Sequence, residues 1–110
     1  MFIFKKCACS IQPHEQLTVD AEFKQLARVL KLVTIPSRIA ILSILYKAPH
    51  CVCDIQTHTG LSQTLISHHL KSLSDGGLVV SFKTGTFVEY RLTAEGRRVV
   101  ACIQKLISKK

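Results

Sequence analysis

The sequence predicts an α+β fold, mostly α, of the winged helix-turn-helix type, with about five helices and a two-stranded β-hairpin. Three observations predict it. Apolar residues recur at helical spacing in several separate segments. A short segment ends at Gly60 and a capped helical segment follows at once, as in a helix-turn-helix. Two stretches rich in β-forming residues then flank a short turn, which indicates a hairpin.

The chain divides into a flexible N-terminal arm, residues 1–17, and one domain, residues 18–110. The first helix begins near Thr18 or Asp20, since either side chain can cap a first turn. Pro36 separates it from a second helix that runs to about Pro49. The apolar stripes of these two helices are Val19, Phe23, Leu26, Ala27 and Leu30, then Ile39, Leu42 and Leu45.

The helix-turn-helix comes next. Helix three is brief, from about His50 to Gly60, because glycine commonly follows a helix end. Ser62 is a good N-cap for helix four, which ends at Gly76 and Gly77. The buried stripe expected for helix four is Ile66, Leu70 and Leu73.

The hairpin and a last helix complete the domain. Residues 78–82 and 87–92 are the expected strands, joined by a turn at residues 83–86, and this hairpin is the wing. A final helix follows Thr93, with an apolar stripe on one side. Helices one and five are the expected dimer surface, and a shared core would help a chain of only 110 residues to bury enough apolar area.

The excess of basic residues indicates the kind of partner that the protein binds. Lysine and arginine outnumber aspartate and glutamate by 15 to 7, and the net charge of +8 favours nucleic acid. The apolar run at residues 1–4 is too short for a signal peptide, and no stretch approaches the roughly 18 apolar residues of a membrane span. We therefore expect a cytoplasmic protein that binds double-stranded DNA and no membrane.

The outer side of helix four carries residue types that read DNA. If the apolar stripe faces the core, the opposite side exposes five polar residues, Gln63, Thr64, Ser67, His68 and Lys71. Gln63 suits adenine, Thr64 and Ser67 suit base edges or phosphates, and lysines suit phosphates. Lys83 in the wing is the sixth expected contact, and His69 is expected to pack or hydrogen-bond beneath the helix. The alternative is an ordinary solvated helix face.

Five cysteines in a reducing compartment indicate thiol or metal chemistry more than a disulfide framework. On a regular helix Cys51 and Cys53 would point about 200° apart, so both could bind one ion only from an extended or unwound segment. Their place at the start of helix three allows this geometry. A helix N-terminus also favours the reactive thiolate.

Two thiolates alone do not close a site, because zinc favours four ligands and trivalent arsenic three sulfurs. Cys7 and Cys9 of the arm, from the same or the other subunit, are the expected further ligands, and His50 is the nearest nitrogen donor. The alternative for the arm is unligated thiols. Cys102 is expected to be a small buried hydrophobe, with a redox partner as its alternative role.

Several of these segments together resemble the ArsR/SmtB family. They are Cys51-Val52-Cys53-Asp54, Gly60-Leu61-Ser62-Gln63, Ser67-His68-His69-Leu70-Lys71 and Gly77-Leu78-Val79. The resemblance is close from Cys51 to Val79 and looser from Phe23 to Leu106. It implies a homodimeric repressor of metal-resistance or efflux genes that leaves its operator when the effector binds.

The sequence departs from that family in two respects. The arm thiols, Cys7-Ala8-Cys9, lie closer together than is common among members that recruit N-terminal thiols. Some members build a metal site on the C-terminal helix from Asp, His and Glu, whereas Ala94, Gly96, Arg97 and Arg98 stand at those places here. The effector site is then the cysteine one, and the effector is a thiophilic ion such as As(III), Sb(III), Cd, Pb or Zn.

Two other kinds of protein could use these cysteines. A thiol-redox or persulfide-sensing repressor would use the same fold, whereas a small thiol enzyme or metal carrier is disfavoured because no Cys-x-x-Cys, phosphate loop or catalytic triad signature occurs. We therefore predict no enzymatic activity.

Overall fold

The computed structural model describes residues 19–107, which form five helices and three strands. The helices are α1 (Ala21–Val33), α2 (Pro36–Lys47), α3 (Val52–Thr59), α4 (Gln63–Asp75) and α5 (Ala94–Ile107). The strands are β1 (His50–Cys51), β2 (Val79–Thr84) and β3 (Phe87–Leu92). The winged helix-turn-helix fold is therefore confirmed. The proposed arm lies outside the described residues, so its boundary stays a prediction.

The wing belongs to a sheet of three strands, and the expectation of a two-stranded hairpin was incomplete. The strand order is β1-β3-β2 and both pairings are antiparallel. In the added strand, His50 lies opposite Tyr90 and Cys51 opposite Glu89. A strand of two residues is too short to show the alternation of apolar and polar residues by which strands are recognised. The added strand matters because it contains Cys51.

Local capping sets the boundaries of the helix-turn-helix as the sequence predicts. The Ser62 hydroxyl accepts a hydrogen bond from the Leu65 amide at 3.1 Å and fixes the start of α4. Gly60 ends α3 in the left-handed conformation, with φ of 74°, and its amide donates to the Gln56 carbonyl at 2.8 Å. At α1, Asp20 is the N-cap and accepts from the Phe23 amide. Both ends of the α3–α4 turn are therefore fixed locally.

The core lies between α2, α3, α4, the base of the wing and α5. Its buried apolar residues are Val33, Ile41, Leu42, Leu45, Ile55, Ile66, Leu70, Leu73, Leu78, Val79, Leu92 and Val100. Much of α1 and the end of α5 stay outside it, and their exposed apolar residues include Phe23, Leu26, Leu30, Leu106 and Ile107. This exposed set lies on the two helices that the sequence assigns to the dimer surface. Among residues 19–107, no single helix is long and apolar enough to cross a membrane; α1 and α2 reach that length only together, across a 92° bend.

The start of α5 is joined closely to the segment between α4 and the wing. Thr93 donates its hydroxyl hydrogen to the Gly77 carbonyl at 2.7 Å and accepts from the Gly96 amide at 3.0 Å. Gly96 is buried against the Leu78 backbone, where a Cβ would collide with the Leu78 carbonyl. The close approach of α5 therefore requires glycine at this position.

A buried polar pair joins α4 to α2. The Arg38 guanidinium donates through Nε to His69 Nδ1 at 3.0 Å and through Nη1 to the Leu32 carbonyl at 3.2 Å. Both Arg38 and His69 are buried, with exposed fractions of 9% and 6%. Because Nδ1 accepts this bond, the imidazole is neutral with its proton on Nε2. The expected position of His69 beneath the helix is confirmed.

Burial lowers the pKa of His69 below its ordinary value of 6.5, and the positive charge of Arg38 and the neighbouring His68 lower it further. Below pH 6.5 the unfolded chain takes up a proton at this residue while the folded chain does not. The contribution of His69 to stability is therefore complete above pH 6.5 and falls as the pH drops toward the folded-state pKa.

We expect the free energy of unfolding to fall less between pH 7.5 and pH 5.5 in His69→Gln than in the wild type. Glutamine offers an oxygen acceptor to Arg38 but does not titrate. Urea unfolding at one fixed protein concentration measures the difference. His58→Gln, at an exposed histidine of α3 that does not act on the His69 pKa, is the control and should behave as the wild type does. Equal pH dependence in all three proteins would contradict the assignment.

Candidate DNA-reading face and thiol site

Helix α4 presents the five polar residues predicted to contact DNA on one exposed side. These are Gln63, Thr64, Ser67, His68 and Lys71, and all five are exposed. On the opposite side Ile66, Leu70 and Leu73 are fully buried. The helix is therefore oriented as the apolar stripe predicts. That these side chains contact DNA stays a prediction.

The only cation on the exposed side of α4 is weakly held. Lys71 Nζ lies 3.5 Å from the Asp75 carboxylate, and both side chains are more than two-thirds exposed. Exposed pairs of this kind contribute from nothing to about 1 kcal/mol. The lysine can exchange Asp75 for a phosphate at small cost.

The wing offers a second basic and exposed element. Lys83 is exposed near the end of β2, and Gly85 makes the turn with φ of 66°. Arg91 on β3 was not singled out from the sequence, because its position becomes visible only with the strand register. Its guanidinium lies 3.9 Å from the centre of the Phe82 ring, and the residue is exposed. Phe87, which directly follows the turn, is 63% exposed.

Cys51 and Cys53 lie at the junction between β1 and α3. Cys51 has extended backbone, with φ of −91° and ψ of 170°, and it is the residue that precedes the first turn of α3. Cys53 is exposed in that first turn, while Cys51 is half-buried. Cys51 thus lies outside the helix, so the 200° separation expected for two helical residues does not apply to this pair. Their role as metal ligands stays a prediction.

The described residues do not hold a complete metal site. Among residues 19–107, no three histidine, cysteine, aspartate or glutamate side chains are placed to bind one ion. Cys7 and Cys9 lie outside this range. His50 donates from Nδ1 to the Ala48 carbonyl at 2.7 Å, which leaves its Nε2 lone pair available, and its ring lies 5.8 Å from that of His58. The thiols are of the donor type that a thiophilic ion prefers, but residues 19–107 alone do not complete its coordination.

Two further features of the described residues are the position of Cys102 and an open groove beside His50. Cys102 is exposed on α5, so the expectation of a buried hydrophobe was wrong for the single chain. It lies on the helix whose far end leaves apolar residues uncovered. An open groove of about 850 Å³ runs between α2 and α3, and His50 and His58 contribute to its lining.

Comparison with known proteins identifies the helix-turn-helix segment. A family described as "Bacterial regulatory protein, arsR family" matches residues 36–81. The chain is 41% identical over 73 residues to the arsenical resistance operon repressor of Staphylococcus xylosus, an alignment that covers 66% of this chain and 70% of that protein.

Solved structures agree with this similarity. One is the homodimeric winged helix-turn-helix DNA-binding domain Mb0332 of Mycobacterium bovis, described as a possible ArsR-family regulator. It is 31% identical, with a TM-score of 0.71, over 87% of this chain and 90% of that one. HlyU of Vibrio cholerae is 26% identical, with a TM-score of 0.73, over 79% of this chain and 96% of that one. The chain therefore belongs to the ArsR family of bacterial regulatory proteins.

Proposed function

We propose that the protein is a cytoplasmic, homodimeric transcriptional repressor that leaves its operator DNA when a thiophilic ion binds Cys51 and Cys53. The observation that carries the proposal is the place of this thiol pair. The pair lies at the start of α3. The next helix along the chain is α4, which presents the DNA-reading side chains. One short helix and one tight turn separate the two functions.

Charge and exposure support DNA as the partner. The chain carries a net charge of +8, and α4 exposes residue types that read base edges and phosphates. The positioning of α4 depends on a buried apolar side and the Arg38–His69 pair, so the outer side is free to enter a major groove. Lys83 and the exposed wing provide a second contact.

Exposed apolar residues of α1 and α5 support a homodimer. The similar Mycobacterium bovis domain is described as homodimeric, and the uncovered residues here lie on the first and last helices. A two-fold dimer requires an inverted repeat in the DNA, with half-sites about 10 base pairs apart. Burial of these residues in the dimer would add to the small core of the single chain.

The donor set supports an ion such as As(III), Sb(III), Cd, Pb or Zn. Cys51 and Cys53 supply two thiolates, and Cys7 and Cys9 supply more sulfur from the same or the other subunit. The name of the Staphylococcus xylosus relative, an arsenical resistance operon repressor, supports trivalent arsenic within this group. Ligation draws the two sulfurs together and distorts the start of α3, which moves α4 in the groove.

One observation favours a second candidate, a thiol-redox or persulfide sensor. In the single chain Cys102 is an exposed thiol on α5, which is the state that a redox role for it requires. The two functions differ in their response to reductant. Metal sensing survives a strong reductant and requires Cys51 and Cys53, whereas redox sensing is lost in reductant and requires Cys102.

Replacement of Lys71 tests the DNA-reading face. We expect Lys71→Ala to weaken DNA binding and to lower the slope of log affinity against log salt by about one, since one phosphate contact is lost. Fluorescence anisotropy of the operator at several salt concentrations measures the slope. Lys105→Ala on α5 removes the same charge away from α4 and is expected to leave the slope unchanged. Equal slopes for the wild type and Lys71→Ala would remove Lys71 from the contacts.

Replacement of Cys53 tests the separation of DNA binding from sensing. We expect Cys53→Ser to bind the operator within about twofold of the wild-type affinity, because the side chain is exposed and exposed substitutions usually change stability little. The ion that releases the wild type should no longer release the variant. Cys102→Ser is the control and should still respond. Loss of DNA binding in reduced, ion-free Cys53→Ser would refute this division of roles.

A further inference from the structure

The proposed effector site is connected to the wing as well as to α4. Cys51 is the last residue of β1, and β1 pairs with the wing strand β3. We propose that an effector bound to Cys51 and Cys53 acts on the wing through the β1–β3 pairing, so that both DNA-contacting elements respond to one site. This inference rests on the proposed function, because it takes Cys51 and Cys53 as the effector ligands.

The pairing between β1 and β3 is the weaker of the two in the sheet. Only two residue pairs join these strands, His50 with Tyr90 and Cys51 with Glu89. Six pairs join β2 to β3. A displacement of Cys51 therefore acts on the shorter ladder, while the wing hairpin itself stays intact and moves as one piece.

The side chains across the sheet form a continuous row from the thiol to the wing. Cys51 and Phe82 both lie opposite Glu89, on its two sides, and directly opposed residues project from the same face of a sheet. Arg91 lies over the Phe82 ring. The register therefore places Cys51, Glu89 and Phe82 side by side across the sheet, and Phe82 in turn contacts an exposed cation of the wing.

Ligation places its strain on this junction. The backbone of Cys51 is extended and that of Cys53 is helical, so an atom that binds both sulfurs ties the edge strand to the first turn of α3. The α3 side of the segment is anchored by Ile55, which is fully buried, whereas Cys51 is half-buried at the edge of the sheet. The edge strand yields more readily than the anchored helix.

The test uses a dithiol reagent, so that it does not depend on which ion is the natural effector. Phenylarsine oxide joins two thiols to one arsenic with loss of one water. It would be added to the full-length chain carrying Cys7→Ser, Cys9→Ser and Cys102→Ser, which leaves Cys51 and Cys53 as the remaining thiols. Mass spectrometry counts the arsenic bound, and NMR-detected hydrogen exchange follows each backbone amide.

We expect one arsenic per chain and an exchange rate about fivefold faster at those amides of residues 89–91 that donate to β1, while the amides of β3 that donate to β2 keep their rates. The same protein with Cys51→Ser added is the matched control, since one thiol cannot form the bridge, and its exchange should not change. Changes confined to α3 and α4, with β3 as before, would overturn the inference, and so would failure of the two thiols to share one arsenic.

The outcome is separable from that of the proposed function. If the bridge forms and β3 responds, yet none of the ions releases DNA from the wild type, then the proposed effector response fails while the mechanical link stands. If an ion releases DNA from the wild type and β3 does not respond to the bridge, the link to the wing fails alone.

Discussion

The packing of α4 into the core, against α2, α3 and the wing strand β2, is the constraint on which the rest of the structure depends. Ile66, Leu70 and Leu73 are fully buried, and truncation of any one of them to alanine would cost about 2–5 kcal/mol. This burial fixes the rotation of the helix about its axis, and the bond from Arg38 to His69 fixes it further. The polar side of α4 faces outward because its apolar side is buried in the core.

Much of the fold follows from signals that act within a few residues. Ser62 caps α4 through a bond to an amide three residues away, and Gly60 ends α3 through the left-handed conformation that glycine adopts readily. The apolar stripe of α4 indicates which side of the helix is buried. Signals of this kind can be read from one sequence because the groups that interact are neighbours along the chain.

Features that depend on distant residues could not be read in this way. Strand β1 exists because His50 and Cys51 find partners about forty residues further on, and two residues carry no pattern of their own. The stacking of Arg91 on Phe82 depends in the same way on the register of β2 against β3. Cys102 was misjudged because an apolar stripe predicts which side of α5 is covered but not whether this chain or a second one covers it.

The thiol pair combines two environments that differ in rigidity. Ile55 holds α3 in the core, while Cys51 occupies a two-residue strand at the edge of the sheet. A site placed at such a junction binds its ligand by moving the less stable side. This arrangement would let a small local change act on the elements predicted to contact DNA without disturbing the core that supports them.

The most direct test of an ion-controlled repressor is the fluorescence anisotropy of the DNA just upstream of the gene. Reduced wild-type protein would be added first, then arsenite, antimonite, cadmium, lead and zinc separately, all in strong reductant. The account predicts tight binding to the DNA and its reversal by at least one of these ions. Tight binding that no ion reverses, but that an oxidant or polysulfide does, would contradict metal sensing and assign the response to thiol oxidation.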